Sequence, residues 1–146
     1  MDESRLKTLR ADSVAVQVKV AALEFEKLAG RELADFGLTT SQFKVLQLIL
    51  NEPEPTVRQV DIERAFAMTN PTVTGIVQNL EKSGLVKRVP NPSDARSKVI
   101  VPTEKALSMK EDLFAAGKRV DGEFTQTLTA AEHRQLLNLL SKLVDA

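Results

Sequence analysis

Between Asn70 and Lys98 the chain gathers side chains suited to gripping a polyanion and reading hydrogen-bonding edges. Thr72, Thr74, Gln78 and Asn79 fall within one short stretch, and hydroxyls and amides of this kind hydrogen-bond base edges and phosphates. Beyond them come Lys82, Lys87, Arg88, Arg96 and Lys98 against Asp94 alone, a local charge of +4. The whole chain balances 20 Lys plus Arg against 20 Asp plus Glu, so the remainder holds −4. Overall neutrality therefore conceals a basic stripe of the kind that phosphate contact requires.

Other chemistries have little to work with. The absence of cysteine removes disulfides, thiolate metal sites and thiol redox sensing. His133 is the single histidine and reads as an ordinary surface or satisfied helix residue. No Gly-Lys-Ser phosphate loop or Ser-His-Asp arrangement with plausible context occurs. We therefore expect no catalytic residues, no metal and no cofactor: a binding protein rather than an enzyme. The charged segment Met1–Arg10 does not look like a signal peptide, and no apolar run approaches the ~20 residues of a membrane span. A soluble cytoplasmic protein without a membrane partner is the expectation, and 146 residues suit a single domain.

The elements that must position these side chains are mostly helical. Leu38–Gln42 opens one helix through a capping box of Thr39 and Gln42, and Asn51–Pro55 breaks it. Thr56 and Gln59 form a second box, starting a short helix to about Phe66. Ala67-Met68-Thr69 then turns tightly into a further helix, with Asn70 as cap, Pro71 at the first helical position and Gly84 as its stop. On a wheel of about 100° per residue, Val73, Ile76, Val77 and Leu80 point inward. Pro71, Gly75, Gln78 and Lys82 then point outward, with Thr72, Thr74 and Asn79 flanking them; a merely solvated polar face is the alternative. The period changes at Leu85–Val89 and Val99–Val101, which read as strands of a hairpin with a mobile polar tip at Pro90–Asp94. Helix, tight turn, helix and hairpin together describe a winged helix-turn-helix, whose second helix fits a major groove about 12 Å wide.

Two further segments flank this lobe. Val14, Val18, Ala21, Phe25 and Leu28 make a heptad seam, and Val16, Val20 and Leu23 lie beside it. The surplus apolar surface suggests a subunit interface, with the central core helix of a monomer as the alternative. Thr103 caps a helix carrying Leu113, Gly117, Val120, Phe124 and Leu128. A third box, Thr129 with Glu132, starts a last helix with Leu136, Leu137, Leu140, Leu143 and Val144.

Leu38–Leu46, Pro71–Thr74, Leu80–Val86, Asp94-Ala95-Arg96 and Thr103–Ala106 stand in the order and spacing of MarR-family transcriptional regulators, and the whole chain resembles them. The resemblance implies a mainly α fold with a small β-hairpin wing, built as one domain. In it, residues 38–102 would form the DNA-binding lobe, with dimerisation helices at 1–36 and 104–146. It implies a homodimer on double-stranded DNA, usually a repressor, with Val14, Val18, Phe25, Leu136, Leu140 and Leu143 at the dimer interface. Asn70, Thr72, Thr74, Gly75, Gln78 and Lys82 would belong to the recognition helix. Lys87, Arg88, Arg96, Ser97 and Lys98 would belong to the wing, braced by Asp94 through charge-assisted hydrogen bonds. Many members also release DNA on binding a small aromatic or anionic effector.

This chain departs from the family's pattern in three places. Ala95 interrupts the usual Asp-Arg-Arg of the wing, and Gly75 and Asn79 stand where arginine is frequent. Guanine readout by arginine is therefore not available from those two sites, which shifts affinity toward the wing and base discrimination toward Thr72, Thr74 and Gln78. The alternatives are a winged-helix protein-interaction adaptor that does not bind DNA, which the uncharged helix face would suit, and a dimer that mainly binds small molecules.

Overall fold

Local caps decide where most of the helices begin. The computed structural model describes residues 1–145, in the order α1 (Glu3–Ala11), α2 (Val14–Leu33), a 3₁₀ turn (Ala34–Phe36), α3 (Thr40–Asn51), α4 (Gln59–Phe66) and α5 (Asn70–Lys82). The hairpin strands β1 (Val86–Asn91) and β2 (Asp94–Pro102) follow, then α6 (Glu104–Phe124) and α7 (Ala130–Val144). This is the mainly α winged helix-turn-helix architecture expected from the sequence.

The boxes at Thr39/Gln42 and Thr129/Glu132 form as expected, each threonine accepting the backbone N–H three residues on while the Gln or Glu accepts the threonine N–H. Thr103 likewise accepts the Ala106 N–H at 3.3 Å. The short helix α1, behind an Asp2 cap that accepts the Arg5 N–H at 2.9 Å, was not foreseen.

The expected box at Thr56 and Gln59 does not form. The Val57 carbonyl accepts the Ile100 N–H at 2.8 Å, which keeps this segment extended beside β2. Helix α4 starts instead behind Arg58, whose N–H donates to Asp61 Oδ2 at 2.8 Å. Arginine has no acceptor to return the bond, so only half a box is made. Helix α5 begins one residue earlier than expected: Thr69 is the extended residue before it, and Asn70 is already helical. Leu128, expected on the α6 stripe, lies past that helix's end, in the turn before α7.

The hairpin also corrects its sequence reading. The strands run further than 85–89 and 99–101, and the bend narrows to Pro92 and Ser93 between paired Asn91 and Asp94. Proline is tolerated at position 90 because a two-stranded sheet leaves it on an edge. Register is regular from Val86↔Pro102 to Pro90↔Lys98 and then slips, leaving Ala95, Arg96 and Ser97 as a bulge on β2.

The chain divides into two compact units, Gly30–Ala116 and Met1–Ala29 with the chain from Gly117 onward. The first has a close-packed core. Val45 and Leu46 of α3, Ile62 of α4, Val73 and Val77 of α5, and Val99 of β2 are all fully buried. The inward residues read from the α5 wheel are thus the ones the structure buries, and each such side chain stabilises the lobe by about 1.5–3 kcal/mol. In the second unit, α1 and α7 bury no residue at all. Within that unit Ala29 and Val120 are buried, and Phe25 and Phe124 meet edge to face at 5.3 Å.

Candidate nucleic-acid interface

The lobe holds α5 at both ends. At its start, Ala67 takes a left-handed conformation (φ 51°), and the Met68 N–H returns to the Glu63 carbonyl at 3.0 Å, making the tight turn from α4. At its end, Gly84 (φ 73°) donates to Glu81 O and Leu85 to Leu80 O, a Schellman stop that satisfies two orphan carbonyls. Thr103 Oγ1 and Lys105 Nζ then donate to Gly84 O and Ser83 O at 2.6 and 2.9 Å. A cation at a helix C-terminus also meets the negative end of its dipole.

With α5 fixed this way, the residues named from the sequence separate into free and committed groups. Thr72, Gln78, Asn79 and Lys82 are exposed, and Gln78, Asn79 and Lys82 have no intramolecular polar partner. Gly75 is half-buried with open space above it, so a groove wall can approach the backbone closely there. Asn70 instead donates to Glu63 Oε2 at 3.1 Å, tying α5 to α4. The Thr74 hydroxyl donates to Asn70 O at 2.9 Å and accepts from Gln59 Nε2 at 2.8 Å, so its methyl is what remains to offer.

The wing divides in the same manner. Lys87 and Lys98 are exposed without partners. On the bulge, Asp94 Oδ1 accepts both the Arg96 N–H at 3.1 Å and its Nε–H at 3.2 Å. Ser97 Oγ donates to Asp94 O and accepts from Asn91 Nδ2, both at 3.1 Å. The Arg96 side chain stays 93% exposed, so the carboxylate orients the guanidinium without covering it. Arg88 is different. Its Nε pairs with Glu81 Oε1 at 3.2 Å and its Nη1 donates to Gln59 Oε1 at 3.4 Å.

Gln59, Glu63 and Glu81 were not picked out by the sequence reading. Gln59 looks like a helix-start residue, and its partners lie 15 and 29 positions away, beyond any local signal. Glu81 stands one residue before the basic stripe and lowers its charge from +4 to +3. In the half-box that starts α4, the Arg58 guanidinium, chiefly by hydrogen bonding, holds Asp61 below the ordinary carboxylate range. Among the described residues no cluster suits a metal ion, and no helix is long and apolar enough to cross a membrane.

Residues 38–98, which span α3 to the wing, match the MarR family. The fold is shared with solved structures over nearly the whole chain. A probable transcriptional regulator from Pseudomonas aeruginosa is similar with a TM-score of 0.79 at 25% identity, covering 92% of this chain and 98% of that one. CouR from Rhodococcus jostii RHA1, bound to p-coumaroyl-CoA, gives a TM-score of 0.83 at 23% identity, covering 91% and 92%. A MarR variant from E. coli complexed with operator DNA gives 0.79 at 25% identity, covering 90% and 93%.

Proposed function

We propose that this chain, whose residues 38–98 match the MarR family, is a transcriptional repressor of that family that binds a pseudo-palindromic operator as a homodimer. The observation that carries this reading is the coherent exposed surface of one lobe. Gln78 and Lys82 on α5 stand without committed partners, and exposed Thr72 accepts only from the neighbouring Thr69 hydroxyl at 3.0 Å, alongside unpaired Lys87 and Lys98 and the exposed Arg96 of the wing. Hydrogen-bonding groups on the helix suit base edges, and cations on the wing suit phosphates. Two such lobes related by a two-fold axis would meet half-sites about 10 bp apart.

The dimer reading draws support from the apolar residues that one chain leaves uncovered, Val14 and Val18 on α2 and Leu136, Leu140 and Leu143 on α7. Release by a small aromatic or anionic effector is the regulatory step we propose. It is supported by the likeness to CouR, solved with p-coumaroyl-CoA. The work is binding, not catalysis, and its place is the compartment that holds the chromosome.

Binding of labelled promoter fragments at several salt concentrations tests the reading. Preference for one site over random DNA, with log affinity falling linearly in log salt, is the expected result. Gln78→Ala should then change base preference by about 1–3 kcal/mol at one position. Equal affinity for every sequence at all salt concentrations would overturn the proposal.

A further inference from the structure

Arg88 looks by sequence like one more wing cation, yet its guanidinium is turned away from that task. Nε is paired with Glu81 at the end of α5, and Nη1 reaches the Gln59 amide oxygen at the start of α4. The other end of that same amide donates to Thr74 Oγ1 in α5 at 2.8 Å, with a longer approach of 3.5 Å to Asn70 O. Both Arg88 and Glu81 are about two-thirds covered, at 33% and 35% exposure, unlike the open Arg96 at 93%. One side chain of β1 is thus joined to both helices of the helix-turn-helix through a chain of three polar groups.

We propose that Arg88 and Gln59 form a latch that fixes the wing to α5, making both positioning residues for sequence discrimination rather than phosphate contacts. The inference rests on the DNA-binding reading above. Its physical basis is the pairing of charge. A cation already neutralised by Glu81 displaces few counterions from DNA, whereas unpaired Lys98 displaces them fully. A guanidinium also offers donors in a rigid fork, which is what two acceptors on different elements require, and an ammonium cannot reproduce it. Holding the wing and α5 in fixed relation lets base contacts and backbone contacts be made together, so loosening the latch should cost specific binding more than nonspecific binding.

The test compares Arg88→Met, Arg88→Lys, Gln59→Leu and Lys98→Met in the full chain, on the preferred promoter fragment and on random DNA across a salt series. Lys98→Met should weaken both DNAs alike and lower the salt slope by about 1. Arg88→Met should leave the slope unchanged and reduce the ratio of specific to random affinity by about tenfold. Arg88→Lys, which keeps the charge and the fold, should lose most of the same ratio. The double variant Arg88→Met with Gln59→Leu should lose no more than the worse single one. The latch is overturned if Arg88→Lys binds like the wild type, or if Arg88→Met lowers the slope by about 1 with the ratio intact. Failure of the unmodified protein to prefer any DNA would overturn the DNA-binding reading itself, and the latch with it.

Discussion

Asp94 and Arg96 are joined through a single carboxylate oxygen, which accepts the backbone N–H and the Nε–H of the arginine two residues on. The contact belongs to the bulge, where Ala95, Arg96 and Ser97 fall outside the strand register, and it orients the guanidinium with its Nη groups free. Arg96→Ala should therefore weaken DNA binding about fivefold to tenfold on operator and random DNA alike, and lower the salt slope by about 1. Folding stability should barely change, because so exposed an ion pair contributes about 0–1 kcal/mol. A salt series with a parallel thermal melt measures both effects. A large drop in melting temperature would show that the pair holds the wing together rather than aiming it.

The two ends of α5 give opposite expectations for substitutions between glycine and alanine. Gly84 holds φ at 73° in the stop of α5, so Gly84→Ala should destabilise by about 1 kcal/mol through left-handed strain. Nothing lies within 4 Å of a Cβ added there, so the cost is conformational and not steric. Ala67 already bears that strain at φ 51°, and Ala67→Gly should stabilise by about 0.5 kcal/mol, since relieved strain is partly offset by added freedom in the unfolded chain. Urea denaturation should move the midpoint down for the first and up for the second. Movement in the same direction would contradict the argument.

The start of α4 predicts a pH dependence. Asp61 is held below the ordinary carboxylate range, chiefly by its hydrogen bond from Arg58. A folded-state pKa below the unfolded one means that the contribution is fully present above the unfolded value, ~3.9. It fades as pH falls through the lowered folded value. Because the pair is exposed to solvent, its contribution should be small. Asp61→Asn should accordingly lower stability slightly at neutral pH, with the difference from wild type vanishing in acid. A gap that widened toward low pH would show that Asp61 is not held by Arg58.

How far the sequence reached can be judged on particular residues. The inward face Val73, Ile76, Val77 and Leu80 was legible because helical period and burial are the same constraint seen twice. Gly84 and the box at Thr39 were legible because caps act within a few residues. The start of α4 was not, since Thr56 is diverted by a bond from Ile100 to Val57 that joins distant parts of the chain. The same holds for Arg88. Its charge is plain in the sequence, but its use depends on Gln59 and Glu81, which only the packed lobe brings to it. Residue type told which side chains could bind an anion, and tertiary contacts decide which of them are already occupied.

The exposed apolar surface of the terminal helices leads to the last prediction. Val14 and Val18 of α2 and Leu136, Leu139, Leu140 and Leu143 of α7 surround a cavity of about 580 Å³ within their own unit. Leu143 is 60% and Val14 67% exposed in the single chain. A contiguous apolar surface of this kind is rarely left in water, and covering it with a second copy would remove its hydration cost. Val18→Asp and Leu140→Asp would each place a charge in that interface, where an unpaired carboxylate is strongly disfavoured. Light scattering should then find one-chain mass at concentrations where the wild type has two. Operator affinity should fall by about a hundredfold or more as the second half-site contact is lost, while the lobe of residues 30–116 keeps its own core. A two-chain mass retained by both variants would move the interface away from α2 and α7.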